Sequence, residues 1–171
     1  VNKRLSVVGE LMEPFKLLAK MNRPILVIAE GYDPDILNTF VVNKIRGLPI
    51  CAILAPSYGE DRTKMMEDLA IVTGGKVISP QTGLTLESII SDQTILGTAK
   101  QVIVNGESTS IIADTSVIDK ERLDKRVAEL DHLLDDETLD DHSRKVARTR
   151  KARLVSGIGI ISVGGATEAE M

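Results

Sequence analysis

Residues 24–55 read PILVIAEGYDPDILNTFVVNKIRGLPICAILA, and this stretch decides the fold. Ile25 to Ala29 is a short apolar run behind a proline, the mark of a buried strand. GYDP reads as a turn. Asp33 to Gly47 then carries helical apolar spacing, with Pro34 near its first turn and Asp35 suited to the positive end of the helix dipole. Leu48 to Ala55, again marked by a proline, reads as the next strand.

Upstream, Leu11, Met12, Phe15, Leu18 and Met21 recur largely every third residue, so residues 10–21 form a second amphipathic helix. Pro14 requires that this helix start near Met12 or bend there. Downstream, PSYGED is a loop, and RTKMMEDLAIVTGG is a helix that stops at Gly74 and Gly75. Lys76 to Ser79 reads as a strand. Helix and strand thus alternate three times, which argues an α/β core with a parallel sheet, layered and flanked by helices.

The pattern then changes. Gln101 to Val104 and Ser108 to Ala113 form a β-hairpin about Asn105-Gly106. Residues 119–153 hold a C-terminal antiparallel helix pair, with an acidic cluster at Asp135–Asp141 ahead of a basic one at Arg144–Arg153. Ile158 to Val163 is a last strand that flows into GGATEAEM, read as the entry to another domain. The chain opens on VNKRLSVVGE and closes on ATEAEM without a helix stop, and both ends read as cut boundaries.

Composition narrows the function classes. The chain has 171 residues, enough for one domain with a real core, or one domain and a fragment of the next. Aromatics are only 2% of residues, against a base-stacking surface, and the net charge of −4 offers no field for a phosphate backbone. Nucleic acid is therefore not an expected partner. No apolar run approaches a membrane span, so no membrane partner is expected either. The single Cys51 excludes an intrachain disulfide and reads as a buried structural thiol.

Chemistry is sparse. His132 and His142 stand among aspartates ten residues apart across a turn, which reads as exposed helix face and not as a metal site. TGGK at 73–76 and GIGIISVGG at 157–165 lack the spacing of a phosphate loop and read as helix termination and hinge. The two early helices are apolar over more than a single stripe, through Met12, Phe15, Leu18, Leu11 and Leu17 on the first and Ile36, Leu37, Phe40, Val41 and Val42 on the second. Core packing and an exposed groove between the helices both account for this.

Taken as an ordered set, PILVIAE, NTFVVNKIRG, YGEDR, DLAIVTGGKVIS, ILGTAKQVIV, STSIIAD and VGGATEAEM resemble the GroEL-type group I chaperonins from end to end of the chain. The resemblance implies an apical-domain fold lacking its first strands over residues 1–157, and the beginning of the returning intermediate-domain segment over 158–171. It implies a groove that takes non-native polypeptide and the lid co-chaperonin. The matching groove positions are Met12, Phe15 and Leu18 on the first helix and Leu37, Val41 and Val42 on the second, with Asp35 beside them. Gly157, Gly164 and Gly165 match a hinge.

Phe15 and Phe40 are bulkier than the leucines commonly matched there, and SYGED replaces the family's usual loop. The family hydrolyses ATP with Mg in a homo-oligomeric ring, through residues outside this stretch. No cofactor and no catalytic residue is therefore expected here. The implied location is a bacterial-type cytoplasm or an organelle matrix. Against this stands an α/β domain with a structural or small-ligand role and no chaperone activity.

Overall fold

The computed structural model describes residues 1–106 and 108–162, with side chains described up to Gly157. Residues 4–5 (β1, Arg4–Leu5) lead into helix α1 (Gly9–Lys20), strand β2 (Ile25–Ala29), the short strand β3 (Gly31–Tyr32) and helix α2 (Pro34–Ile45). Strand β4 (Ile50–Leu54) and helix α3 (Gly59–Thr73) follow. Beyond them come the short helix α4 (Ser88–Ser91), a turn of 3-10 helix at Gln93–Ile95, and strands β5 (Ala99–Val104) and β6 (Ser108–Ala113). Helices α5 (Lys120–Leu134) and α6 (Asp141–Ser156) then precede strand β7 (Ile158–Ser162).

The architecture is mixed α/β, with small sheets flanked by helices. The two apolar runs of residues 24–55 pair as expected, β2 parallel to β4 with Ile25 opposite Ile50 and Ala29 opposite Leu54. Helix α2 is the crossover that a parallel pair requires. The hairpin also forms, β5 antiparallel to β6, and Asn105 closes it by donating its N–H to Ser108 O and accepting Ser108 N–H on Oδ1. Strand β7 adds to the other side of β6. The antiparallel β5-β6-β7 sheet is therefore the largest among the described residues, where the alternation of elements pointed to a parallel one.

Other expectations are corrected. Lys76–Ser79 is not a strand: it runs beside the chain start with no continuous ladder to join. Gly31 and Tyr32 are not merely a turn but pair in parallel with Arg4 and Leu5. Helix α1 begins at Gly9 and passes through Pro14. A proline inside a helix costs on the order of 3 kcal/mol through its lost N–H bond, and here its ring is buried beneath the helix beside Leu11, Phe15 and Leu18.

One core cluster gathers α1, α2 and β2 through Leu5, Leu11, Phe15, Leu18, Ala29, Ile36, Phe40 and Ile50, together with Ile78, Leu86, Ile89 and Ile95. A second joins α3 to the helix pair through Ile71, Val72, Leu130, Ala147 and Leu154. Arg150, a member of the basic cluster at Arg144–Arg153, is only 5% exposed and grips the buried Asp68 of α3 with Nε to Oδ2 at 2.6 Å and Nη2 to Oδ1 at 3.0 Å. Each half of the pair makes the other's burial tolerable.

The helix pair is antiparallel, as expected, and each helix is capped by an aspartate. Asp119 accepts from Arg122 N–H and Asp140 from Ser143 N–H, Lys151 pairs with Asp131, and Arg144 reaches Leu134 O at 2.7 Å. Gly74 ends α3 at φ +71, and a Cβ there would stand 2.5 Å from Val117 O, so only glycine fits. Among the described residues no helix is long and apolar enough to cross a membrane.

Candidate functional site

Helix α2 divides cleanly into two faces. Ile36 and Phe40, four residues apart, are buried, whereas Leu37, Val41, Val42 and Ile45 are exposed by 44, 56, 45 and 81%. Leu37, Val41 and Ile45 follow the i, i+4, i+8 row along the outer surface, and Val42 flanks it. A helix of twelve residues thus offers apolar side chains to solvent over a wide arc. Ile45 was missed in the sequence, although its spacing from Val41 and Leu37 was the signal that could have found it.

Helix α1 behaves differently. Met12 is 51% exposed, but Phe15 and Leu18 are each only 9% exposed and belong to the core. The candidate groove set therefore splits: Met12, Leu37, Val41 and Val42 lie at the surface, and Phe15 and Leu18 lie beneath it. Beside Met12 the outer face of α1 carries Lys16, which bonds Glu13 at 2.6 Å, and Ala19. Asp35 is exposed in the first turn of α2, where a carboxylate meets the positive end of the dipole.

Aromatic packing links the two helices. The Phe15 and Phe40 rings lie 5.3 Å apart at 36°, and Tyr32 meets Phe40 edge-on at 5.8 Å. Each such pair adds about 0.5–1.5 kcal/mol beyond area burial. Tyr32 is anchored in turn, its single O–H shared between two backbone carbonyl acceptors, Ile53 O at 2.7 Å and Val27 O at 2.9 Å. Burial drives its phenol well above the usual range, so it stays a neutral donor. The two bulky phenylalanines noted in the sequence thus face each other and fix how α1 stands against α2.

Polar fixtures hold the entry to α2. Arg4 Nε bonds Asp33 Oδ1 at 2.6 Å, so the helix-capping Asp33 is tied to β1 and does not cap with its side chain. The outer face of α2 is largely apolar between the exposed Asp35 and Lys44, and it suits non-directional contact with an apolar segment.

The remaining candidates fall elsewhere. His132 and His142 are exposed on α5 and α6, as read. Cys51 is half-buried on β4, less enclosed than a core thiol. Gly157 caps α6 at φ +64 and its carbonyl accepts Ala113 N–H at 3.0 Å. Gly164 and Gly165 lie outside the described residues. The TGGK turn is filled by protein, since a Cβ on Gly75 would stand 2.6 Å from Gly97 N, and it offers no cradle for a phosphate.

No family model matches the chain. Across 172 aligned residues it is 40% identical to the RuBisCO large subunit-binding protein subunit beta, chloroplastic, of Secale cereale. That alignment takes in 100% of this chain and 34% of the relative, so the chain spans about one third of the relative's length.

Proposed function

The chain is a homologue of the GroEL-type chaperonins, the chaperonin 60 proteins, and on that premise we propose that it is the polypeptide-binding apical module of such a chaperonin. Its outer surface on α1 and α2 takes apolar segments of non-native polypeptide and the lid co-chaperonin. The observation that carries this reading is the wide apolar face of α2, Leu37, Val41, Val42 and Ile45, left open to solvent, with Met12 of α1 likewise exposed.

The contact residues are Met12, Leu37, Val41 and Val42, with Asp35 at the rim. Phe15 and Leu18 act from below, holding the helix in place. Methionine and branched aliphatic side chains accept many sequences because their contacts are not directional. Affinity per site is modest after ordering costs, and a homo-oligomeric ring multiplies it.

Residues 1–157 form the apical domain in this reading, and residues 158–171 begin the intermediate-domain segment, with β7, paired to β6, as the tie between them. Gly157, Gly164 and Gly165 provide the hinge on which the module swings as the lid binds. ATP and Mg act elsewhere in the longer polypeptide. The filled turn at Gly74–Gly75 gives no phosphate cradle, and among the described residues no group of three His, Cys, Asp or Glu is placed to hold a metal. The protein works in a bacterial-type cytoplasm or in an organelle matrix, as the chloroplastic relative does.

Calorimetric titration with an amphipathic peptide that copies the apolar pattern of a co-chaperonin mobile loop tests the proposal. Saturable binding that is lost when the outer face alone is charged supports it; absence of binding by the folded chain overturns it.

A further inference from the structure

The asparagines of the chain are Asn2, Asn22, Asn38, Asn43 and Asn105, and Asn105 alone is followed by a glycine. Asn105 and Gly106 are both exposed and lie between β5 and β6. The others are placed differently. Asn38 and Asn43 sit within α2, where Asn43 Nδ2 donates to Thr39 O at 2.7 Å. Asn2 is held by Thr63 and Arg62, and Asn22 precedes the bulky Arg23.

The side-chain amide of Asn105 is folded forward over the turn. Its Oδ1 accepts the Ser108 N–H at 2.7 Å and the Ser108 hydroxyl at 3.2 Å. A backbone N–H can only donate, so the carbonyl end of the amide is the end that faces Ser108. Two donors on one carbonyl oxygen polarise the C=O bond, and they already stand where they stabilise the negative charge that this oxygen gains when Cγ is attacked. The backbone nitrogen of Gly106 is the next nucleophile along the chain. The position a Cβ would take on Gly106 has open space around it, so nothing crowds that nitrogen.

We propose that Asn105-Gly106 is a site of spontaneous covalent modification, in which the hairpin turn promotes loss of the Asn105 side-chain amide. The Gly106 nitrogen gives its proton to solvent and bonds to Asn105 Cγ. The Cγ–Nδ2 bond breaks, and Nδ2 takes up a proton and leaves as ammonia, which closes a five-membered imide. Solvent water then opens the imide at either carbonyl. Attack at Cγ gives aspartate; attack at the main-chain carbonyl gives isoaspartate, with the backbone running through Cγ. One water is consumed, one ammonia is released, and nothing is oxidised or reduced. Both products place a new negative charge at the turn. The isoaspartyl form also lengthens the main chain by one carbon, which disturbs the bond from Asn105 N–H to Ser108 O that closes the hairpin. Among the described residues β5 pairs with β6 alone, and its Val102, Ile103 and Val104 are exposed, so the strand has little burial to hold it once the turn is altered.

The folded 171-residue chain is incubated at neutral pH in heavy-oxygen water and mapped by peptide mass spectrometry, beside an unstructured peptide of residues 102–108. Conversion at Asn105 ahead of every other asparagine, with one heavy oxygen gained and at least as fast as in the peptide, is the expected result. Slower conversion in the folded chain means that the turn shields the amide, and overturns the proposal. Gly106→Ala, shown by circular dichroism to stay folded, slows conversion at least about tenfold because a Cβ hinders the nitrogen; an unchanged rate means hydrolysis without the imide and overturns it equally. Amide exchange in β5 is faster in the isolated isoaspartyl form than in the unmodified chain, and equal exchange refutes the loosening of the strand. None of these readouts involves the outer face of α2, so this proposal and the polypeptide-binding reading fail separately.

Discussion

Charging the outer face without touching the core is the sharpest perturbation the structure allows, through the triple variant Met12→Glu, Val41→Glu, Val42→Glu. These side chains are 51, 56 and 45% exposed, so about half of each remains to be buried by a ligand. Full burial of such a side chain is worth about 1.5–3 kcal/mol, which leaves ~2–4 kcal/mol across the three. At about 1.4 kcal/mol per tenfold, the peptide Kd rises at least ~30-fold. The half of each side chain already buried in the fold is lost as well, so the triple variant melts below the parent while the core residues keep it folded, and Kd is measured well below its melting temperature.

Phe15→Glu is the contrasting variant, since it places a carboxylate at a core position against Phe40 and abolishes folding along with binding. Calorimetry gives Kd, and circular dichroism melts run in parallel separate the two cases. If the triple variant remains folded at the titration temperature and binds within threefold of the parent, the outer face is not the site and the reasoning fails.

Three other outcomes are expected. Asp68→Ala strands the buried Arg150 guanidinium and costs about 3–5 kcal/mol, while Asp68→Leu with Arg150→Met recovers most of that in a urea titration. Gly74→Ala forces a Cβ against Val117 O at φ +71 and lowers the melting temperature by more than Gly47→Ala, whose site is open at φ +97. The Val1 amino group has its folded pKa lowered from 8.0 to about 6, so the unfolded chain binds the extra proton between these values. Stability is greatest above pH 8 and falls by roughly 2–3 kcal/mol as the pH drops through 6, measured by denaturant midpoints on the 171-residue chain. N-terminal acetylation removes that slope.

Much of the fold was legible because its signals are local. Branched apolar runs behind Pro24 and Pro49 gave β2 and β4, Asn105-Gly106 gave the hairpin, and Gly74 ended α3 where the sequence placed its stop. The signals failed where an outcome depended on a distant partner. Lys76–Ser79 has strand composition without a continuous ladder, and Gly31–Tyr32 became a strand because Arg4 and Leu5 lie alongside. Pro14 stays inside α1 because burial beneath the helix offsets the lost bond, an effect no local rule contains.

The sequence by itself determined that two amphipathic helices flank a parallel strand pair, that the chain carries no catalytic spacing, and that its ordered segments are those of a chaperonin. Only the tertiary structure decided which apolar residues face water. Periodicity marks a face but not its direction, and the helix spacing of Phe15 and Leu18 is served equally by a groove and by a core. In the fold Phe15 packs on Phe40 and is buried with Leu18, while Met12, Leu37, Val41, Val42 and Ile45 are exposed. Arg150 is drawn out of a basic run into the interior for the same reason: its partner Asp68 lies 82 residues away, and packing alone brings them together.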